Sequence, residues 1–173
     1  MNTTEETPRP FSSQLAADLE QTVQDAAPGL RALTDTAAGR RPQPDKWSAK
    51  EILGHLIDSA CNNHRRFVRA QIEPDLVFSG YAQNEWVESQ QYREADWGEL
   101  VRLWLAYNLH LTRIIAVISE ETLTRQRPKH NLHQMAWQPV PEDEPATLAY
   151  FIRDYVGHLQ HHLEQIRSMA REG

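Results

Sequence analysis

Two histidines one helical turn apart near the C-terminus are the residues of this sequence best placed to do chemistry. His158 and His162 lie at positions i and i+4 of a segment with helical periodicity, so both imidazoles would lie on one face of a helix. Helical zinc motifs present two ligands to one ion with this spacing. On a helical wheel, His162 lies about 60° and His158 about 100° from the centre of the apolar face, whereas His161 lies about 160° away. The sequence therefore predicts that His158 and His162 bind a metal ion and that His161 faces solvent.

A third candidate ligand lies on an earlier helical segment. His55 lies about 90° from the centre of the apolar face of that segment, on a flank that it shares with Asn62 and Arg66. Asp58 lies further round on the same side. A polar flank beside an apolar stripe is where a helical bundle forms a pocket between its helices. Three neutral imidazoles would leave a fourth tetrahedral position for water or substrate, which is the catalytic arrangement of zinc. Judged by spacing alone, the three histidines form either such a site or ordinary packing contacts.

Four long helical segments must position these histidines. Ser48-Ala49-Lys50-Glu51 and Asp96-Trp97-Gly98-Glu99 are capping signals that start the second and third segments. We expect a kink or break of the first segment at Pro28-Gly29, and Pro145 as the first residue of the last segment. The predicted segments cover about residues 13–36, 49–71, 97–118 and 145–170. The fold class predicted is an all-α four-helix bundle, with residues 1–12 as a flexible tail and residues 13–173 as one domain.

The composition excludes several classes of protein. The 173 residues include 18 Lys+Arg and 24 Asp+Glu, and a net charge of −6 argues against a nucleic-acid binder held by phosphate contacts. A single cysteine, Cys61, excludes an intrachain disulfide and a thiolate zinc cluster. No apolar run approaches the roughly 20 residues that span a bilayer, and the polar N-terminus is unlike a signal peptide. We therefore expect a cytoplasmic protein that binds neither nucleic acid nor membrane.

Three segments of the chain resemble the DinB/YfiT-like superfamily. They are residues 47–59 (WSAKEILGHLIDS), 81–86 (YAQNEW) and 155–166 (YVGHLQHHLEQI), and their order and spacing resemble the YfiT branch of that superfamily. The resemblance covers about residues 13–170. It implies a four-helix bundle that binds a divalent metal, zinc or nickel, through His55, His158 and His162. Imidazole ligands by themselves would also suit copper or ferrous iron.

The resemblance implies an enzyme that acts on a small molecule. Members of the superfamily include transferases that use low-molecular-weight thiols such as bacillithiol or mycothiol, and proteins described as metal-dependent hydrolases. The leading hypothesis is a metal that activates a small thiol for S-transfer to an electrophile. The alternatives are a metal-dependent hydrolase and a non-catalytic metal-binding stress-response bundle. The resemblance also allows a homodimer, for which the sequence contains no signal.

Three polar residues near His55 complete the predicted site. Asp58 is a candidate to orient a ligand histidine or accept a proton, and simple exposure is the alternative. Arg66 is a candidate catalytic and cofactor-binding residue that would pair with a carboxylate of the thiol or substrate, and a surface salt bridge is its alternative. Asn62 is a second candidate cofactor-binding residue. The connections at 74–95 and 124–144 are long for a bundle, and we expect Tyr81, Trp86 and Trp137 to supply apolar walls.

Overall fold

Four long helices dominate the computed structural model, which describes residues 10–172. These long helices are α1, α3, α5 and α8, and shorter helices occupy the connections between them. The helices are α1 (Phe11–Ala32), α2 (Asp35–Gly39), α3 (Ala49–Ile72), α4 (Gln83–Ser89), α5 (Trp97–Ala116), α6 (Glu120–Thr124), α7 (Leu132–Met135) and α8 (Leu148–Glu172), with a 3-10 turn at Tyr92–Glu94. Two isolated β-bridges, Leu76 with His130 and Arg127 with Ala146, are the β-structure of the described residues. None of the described helices is both long and apolar enough to cross a membrane.

The long helices form a bundle in which α1 and α3 each pack against both α5 and α8. Asp35, just beyond the end of α1, accepts the backbone N–H of Trp97 at the start of α5. Its carboxylate also forms an ion pair at 2.8 Å with Lys50 at the start of α3. The starts of α3 and α5 therefore lie at the end of α1, and both helices run antiparallel to it. Gln160 of α8 donates to Thr22 of α1, and the guanidinium of Arg153 lies over the ring of Phe11. Helices α1 and α8 are therefore parallel, and so are α3 and α5.

The capping signals of the sequence are present in the structure. The Ser48 hydroxyl accepts the backbone N–H of Glu51, and the Glu51 carboxylate accepts the backbone N–H of Ser48 at 2.8 Å. Asp96 accepts the N–H of Glu99 at 2.8 Å. Each cap accepts backbone N–H groups that have no partner within the first helical turn, and such a cap contributes about 1 kcal/mol to the free energy of unfolding. The predicted starts of α3 and α5 are thereby confirmed.

The predicted break at Pro28 and the predicted helix start at Pro145 were wrong. Helix α1 continues through Pro28 and ends at Ala32, and both Pro28 and Gln24, whose carbonyl loses its helical partner, are exposed. Helix α8 begins at Leu148 and not at Pro145, because Ala146 exchanges two backbone hydrogen bonds with Arg127 in the preceding connection. The hydroxyl of Thr147 accepts the N–H of Tyr150 at this helix start.

The boundary between tail and domain also differs from the prediction. Helix α1 begins at Phe11, so residues 11 and 12 belong to the bundle, and Ser12 is buried. The rest of the predicted flexible tail, residues 1–9, lies outside the described residues.

Candidate metal centre

His55, His158 and His162 converge between α3 and α8. One ring nitrogen of each histidine lies within 4.8 Å of the corresponding nitrogens of the other two. The Nε2 atoms of His55 and His158 are 3.3 Å apart. Among the described residues, this is the one group of three or more His, Cys, Asp or Glu side chains with such geometry. The convergence predicted from the helical wheel is therefore observed, and His161 is exposed, as expected.

The spacing of these nitrogens fits a tetrahedral metal ion. Metal–nitrogen bonds of about 2.0–2.1 Å at tetrahedral angles place two ligand nitrogens roughly 3.3 Å apart. The His55–His158 distance has this value, and a ring nitrogen of His162 lies within 4.8 Å of both. Without an ion, two Nε2 atoms at this distance require that one of them carry a proton. When an ion is bound, the lone pairs of both Nε2 atoms would point to the ion.

The protein environment keeps the three imidazoles neutral. Burial, together with the charge of His162 when protonated, lowers the pKa of His55 to about 4. Burial, with the neighbouring histidines, lowers the pKa of His158 to about 3. The pKa of His162 is also lowered by burial, although its hydrogen bond to Gln165 acts in the opposite direction. Neutral imidazole is the form that binds metal ions, so the cluster is prepared for ligation at neutral pH.

Two residues that the sequence reasoning missed orient the histidines. Gln165 lies about two turns before the end of α8. Its Oε1 atom is 2.8 Å from Nδ1 of His162. This hydrogen bond places the proton on Nδ1 and leaves Nε2 of His162 as the free lone pair. The indole of Trp47 packs on the His55 ring at 5.3 Å between centroids. The i+3 spacing of His162 and Gln165 on a helix was the available signal for the first contact.

The cluster lies at the junction of two cavities. A polar cavity of about 420 Å³ is bordered by His158, His161 and His162 and extends toward Arg66 and Tyr81. A second cavity of about 660 Å³ is bordered by His161 and His162 and extends over Trp47 and Ile52. We refer to the first as the polar cavity and to the second as the Trp47 cavity. The polar cavity reaches His158 and His162 of the cluster, and the Trp47 cavity reaches His162.

The three predicted polar residues occupy different places. Arg66 is buried and borders the polar cavity, which excludes the surface salt bridge given as its alternative. Asn62 does not border it, and its amide donates to the backbone carbonyl of Asp58. Asp58 is buried, and its carboxylate accepts the hydroxyl of Tyr92 at 2.7 Å and the amide of Gln90 at 2.9 Å.

Asp58 therefore anchors a loop and makes no hydrogen bond to a histidine among the residues described. Asp58 is not exposed, which was the alternative, and its carboxylate is held by Tyr92, 34 positions away, a contact that sequence could not show. Gly54 allows this contact, since a Cβ atom at that position would lie 2.1 Å from the Tyr92 ring. Burial raises the pKa of Asp58, and the hydrogen bonds from Gln90 and Tyr92 oppose that effect.

Trp137 forms one wall of the polar cavity, as expected, and the structure shows what fixes it. The carboxylate of Asp154 accepts the backbone N–H groups of Trp137 and Gln138 at 2.8 and 2.7 Å. The indole lies against Gly157, where a Cβ atom would come within 3.2 Å of the ring, and 5.5 Å from the His161 ring. Trp86, the third expected wall, packs on Tyr81 at 4.9 Å between centroids.

Comparison with known proteins agrees with this architecture. The family model of the DinB superfamily matches residues 18–166. The curated protein named "Putative metal-dependent hydrolase YfiT", from Bacillus subtilis (strain 168), is 25% identical over 142 residues, which cover 82% of this chain and 74% of the relative. A solved structure of YfiT from Bacillus subtilis is described as a probable metal-dependent hydrolase with an unusual four-helix bundle topology. It aligns with this chain with a TM-score of 0.75 at 19% identity, and the alignment covers 99% of this chain and 93% of that chain.

Proposed function

Because this chain belongs to the DinB superfamily, we propose that it is a metal-dependent enzyme. His55, His158 and His162 would hold a divalent ion, zinc or nickel. That ion would activate a low-molecular-weight thiol for S-transfer to a small electrophile. The three-histidine geometry supports the metal. The name of the YfiT relative supports metal dependence in this family.

The observation that carries S-transfer is the pair of cavities that meet at the histidines. A transfer reaction must bring two organic molecules to one point, whereas hydrolysis needs room for one molecule and water. His161 and His162 border both the polar cavity and the Trp47 cavity, so two ligands could approach His162 through separate cavities. The volumes, about 420 and 660 Å³, each suit a small organic molecule.

The residues of this chain would bind, orient and enclose the reactants. The ion, when bound, lowers the pKa of a thiol or water in its open position and so supplies a nucleophile at neutral pH. The three histidines offer neutral ring nitrogens, and Gln165 holds His162 in the tautomer that keeps Nε2 free. Trp137 and Tyr81 wall the polar cavity and limit the access of bulk water to a nucleophile there.

A direct assay tests this proposal. Zinc- or nickel-loaded protein is mixed with L-cysteine and 1-chloro-2,4-dinitrobenzene, and formation of the thioether is followed against a protein-free background. We expect turnover that requires the metal and the thiol. His158→Ala should abolish it, whereas His64→Ala, which changes a histidine hydrogen-bonded to Tyr107 of α5 and away from both cavities, should not.

Metal-dependent hydrolysis is the second candidate, and the name of the YfiT relative favours it. The same loaded protein is therefore tested with p-nitrophenyl acetate in the absence of thiol. Ester turnover that needs the metal and is not increased by thiol would replace S-transfer with hydrolysis. Loaded protein without either activity on these and related substrates would favour a non-catalytic metal-binding bundle.

A further inference from the structure

Arg66 is a buried cation without a buried anion to match it. Its side chain, 8% exposed, projects from α3, and its guanidinium donates to the backbone carbonyl of Ser79 at 3.0 Å and to the Asn63 amide oxygen at 3.5 Å. The guanidinium also lies 6.0 Å from the centre of the Phe78 ring. No carboxylate of the described residues comes within 4.0 Å of it.

This arrangement leaves donors of Arg66 available to the polar cavity. A guanidinium carries five N–H donors, and two neutral acceptors, one of them long, satisfy a minority of them. The Nε atom of Arg66 makes no hydrogen bond to the described part of the chain and is not sealed in the interior, so this donor faces accessible space. A desolvated charge that lacks a counter-charge is costly, and an anion that enters the cavity would relieve that cost.

The other charged group at the cavity is already engaged. Asp154 also borders it, but both of its carboxylate oxygens accept backbone N–H groups of the loop that carries Trp137. Asp154 therefore holds the start of that loop by hydrogen bonds and forms no salt bridge with Arg66. The neutral amide of Asn63 and the hydroxyl of Ser59, which also border the cavity, do not oppose an anion.

We propose that Arg66 forms a carboxylate subsite at the end of the polar cavity away from the histidines, so that the molecules this cavity takes are small carboxylates. A planar carboxylate suits the fork of a guanidinium, which can donate two parallel hydrogen bonds to it. The carboxylate subsite stands on the geometry of Arg66 alone. The further step, that the bound carboxylate is the thiol substrate with its sulfur at the histidines, rests on the proposed function.

The test uses two probes that differ by one charge and contain no thiol. N-acetyl-L-alanine carries a carboxylate, and N-acetyl-L-alanine amide carries a neutral amide of similar size. Calorimetric titration of the metal-loaded protein measures the affinity of each. We expect the carboxylate to bind roughly tenfold or more tightly than the amide, because a hydrogen bond to a charged group is stronger than a neutral one.

Variants assign this preference to a residue. Arg66→Gln should abolish the preference, and Arg66→Lys, which keeps the charge but loses the fork, should reduce it. Arg65→Gln makes the same charge change at the exposed neighbouring position of α3 and should leave the preference intact. A preference that survives in Arg66→Gln would mean that the metal ion itself binds the carboxylate, and the proposal would be overturned.

The result is independent of the reaction. Equal affinity of wild-type protein for the two probes overturns the carboxylate subsite even if S-transfer is observed. A preference that disappears in Arg66→Gln establishes the subsite even if no S-transfer is found. If Arg66→Gln does not fold, the comparison of wild type with Arg66→Lys decides, since an unchanged preference in that variant contradicts recognition by the fork.

Discussion

His161 and His162 are neighbours in the sequence, yet only His162 has a ring nitrogen within 4.8 Å of the nitrogens of both His55 and His158. The difference arises from a rotation of about 100° per residue along a helix. Periodicity alone could therefore select the correct pair. It could not identify Gln165 and Trp47 as the groups that orient the rings, because tautomer and ring stacking depend on side-chain rotamers.

At the scale of the single residue, the hydrogen bond from His162 to Gln165 leads to a prediction about metal affinity. Gln165→Leu should weaken zinc binding roughly 10- to 100-fold, because the ring loses the contact that fixes its tautomer and orientation. Competition with a chromogenic chelator measures the affinity. Gln160→Leu, at an exposed position of the same helix outside the histidine cluster, is the matched control. Equal affinities for the two variants would show that Gln165 does not support the ligand.

The lowered pKa values of His55 and His158 lead to a prediction about the metal-free protein. An unfolded histidine titrates near pH 6.5, whereas His55 and His158 in the fold do so near 4 and 3. Between about pH 4 and pH 6.5 the unfolded state binds more protons than the folded state. The free energy of unfolding should therefore fall as the pH falls from about 6.5 toward 4.

Urea unfolding of chelator-treated protein at a series of pH values across this window measures the effect. His158→Asn should make the free energy of unfolding depend less steeply on pH. His110→Asn, at an exposed position, should leave that dependence unchanged. A free energy of unfolding that stays constant across the window in wild-type protein would be inconsistent with buried neutral imidazoles.

At the scale of helices and loops, two glycines make contrasting predictions. Gly54 lies within α3 against the Tyr92 ring, and a Cβ atom there would lie 2.1 Å from it. Gly29 lies within α1 with no atom within 4 Å of such a Cβ. Alanine normally stabilises a helix interior relative to glycine by roughly 0.5–1 kcal/mol.

Gly29→Ala should therefore stabilise the protein by about that amount. Gly54→Ala should destabilise it by about 1–3 kcal/mol, because Tyr92 must leave α3 and abandon Asp58. Urea unfolding of both variants checks the opposite signs. Stabilisation by Gly54→Ala would mean that the loop carrying Tyr92 is not held against α3.

The same scale explains which elements the sequence could predict. The starts of α3 and α5 depend on caps that span four residues, so the local sequence contains all the information needed. The start of α8 depends on hydrogen bonds between Ala146 and Arg127, which no local pattern reveals. The exposure of Pro28 and Gln24 in the continuous α1 is a property of the packed bundle.

At the scale of the whole molecule, the candidate site is a product of helix order and loop packing. Helices α3 and α8 run antiparallel as neighbours, and this brings His55 opposite His158 and His162, more than 100 positions away. The helical wheel predicted which face of each helix carries the histidines, and the packing of α3 against α8 places those faces opposite each other. The sequence indicated Tyr81 and Trp137 as walls, but it could not predict the shape of the cavity they line, because that shape depends on how the connections between helices pack.

The central claim is that the three histidines bind one divalent ion, and metal analysis of the purified protein tests it most directly. After incubation with zinc or nickel and removal of unbound metal, the account predicts one equivalent per chain and a melting temperature that falls on chelation. His158→Ala should bind none and His161→Ala should bind one equivalent. Wild-type protein that retains no metal and is not stabilised by either ion would contradict the account.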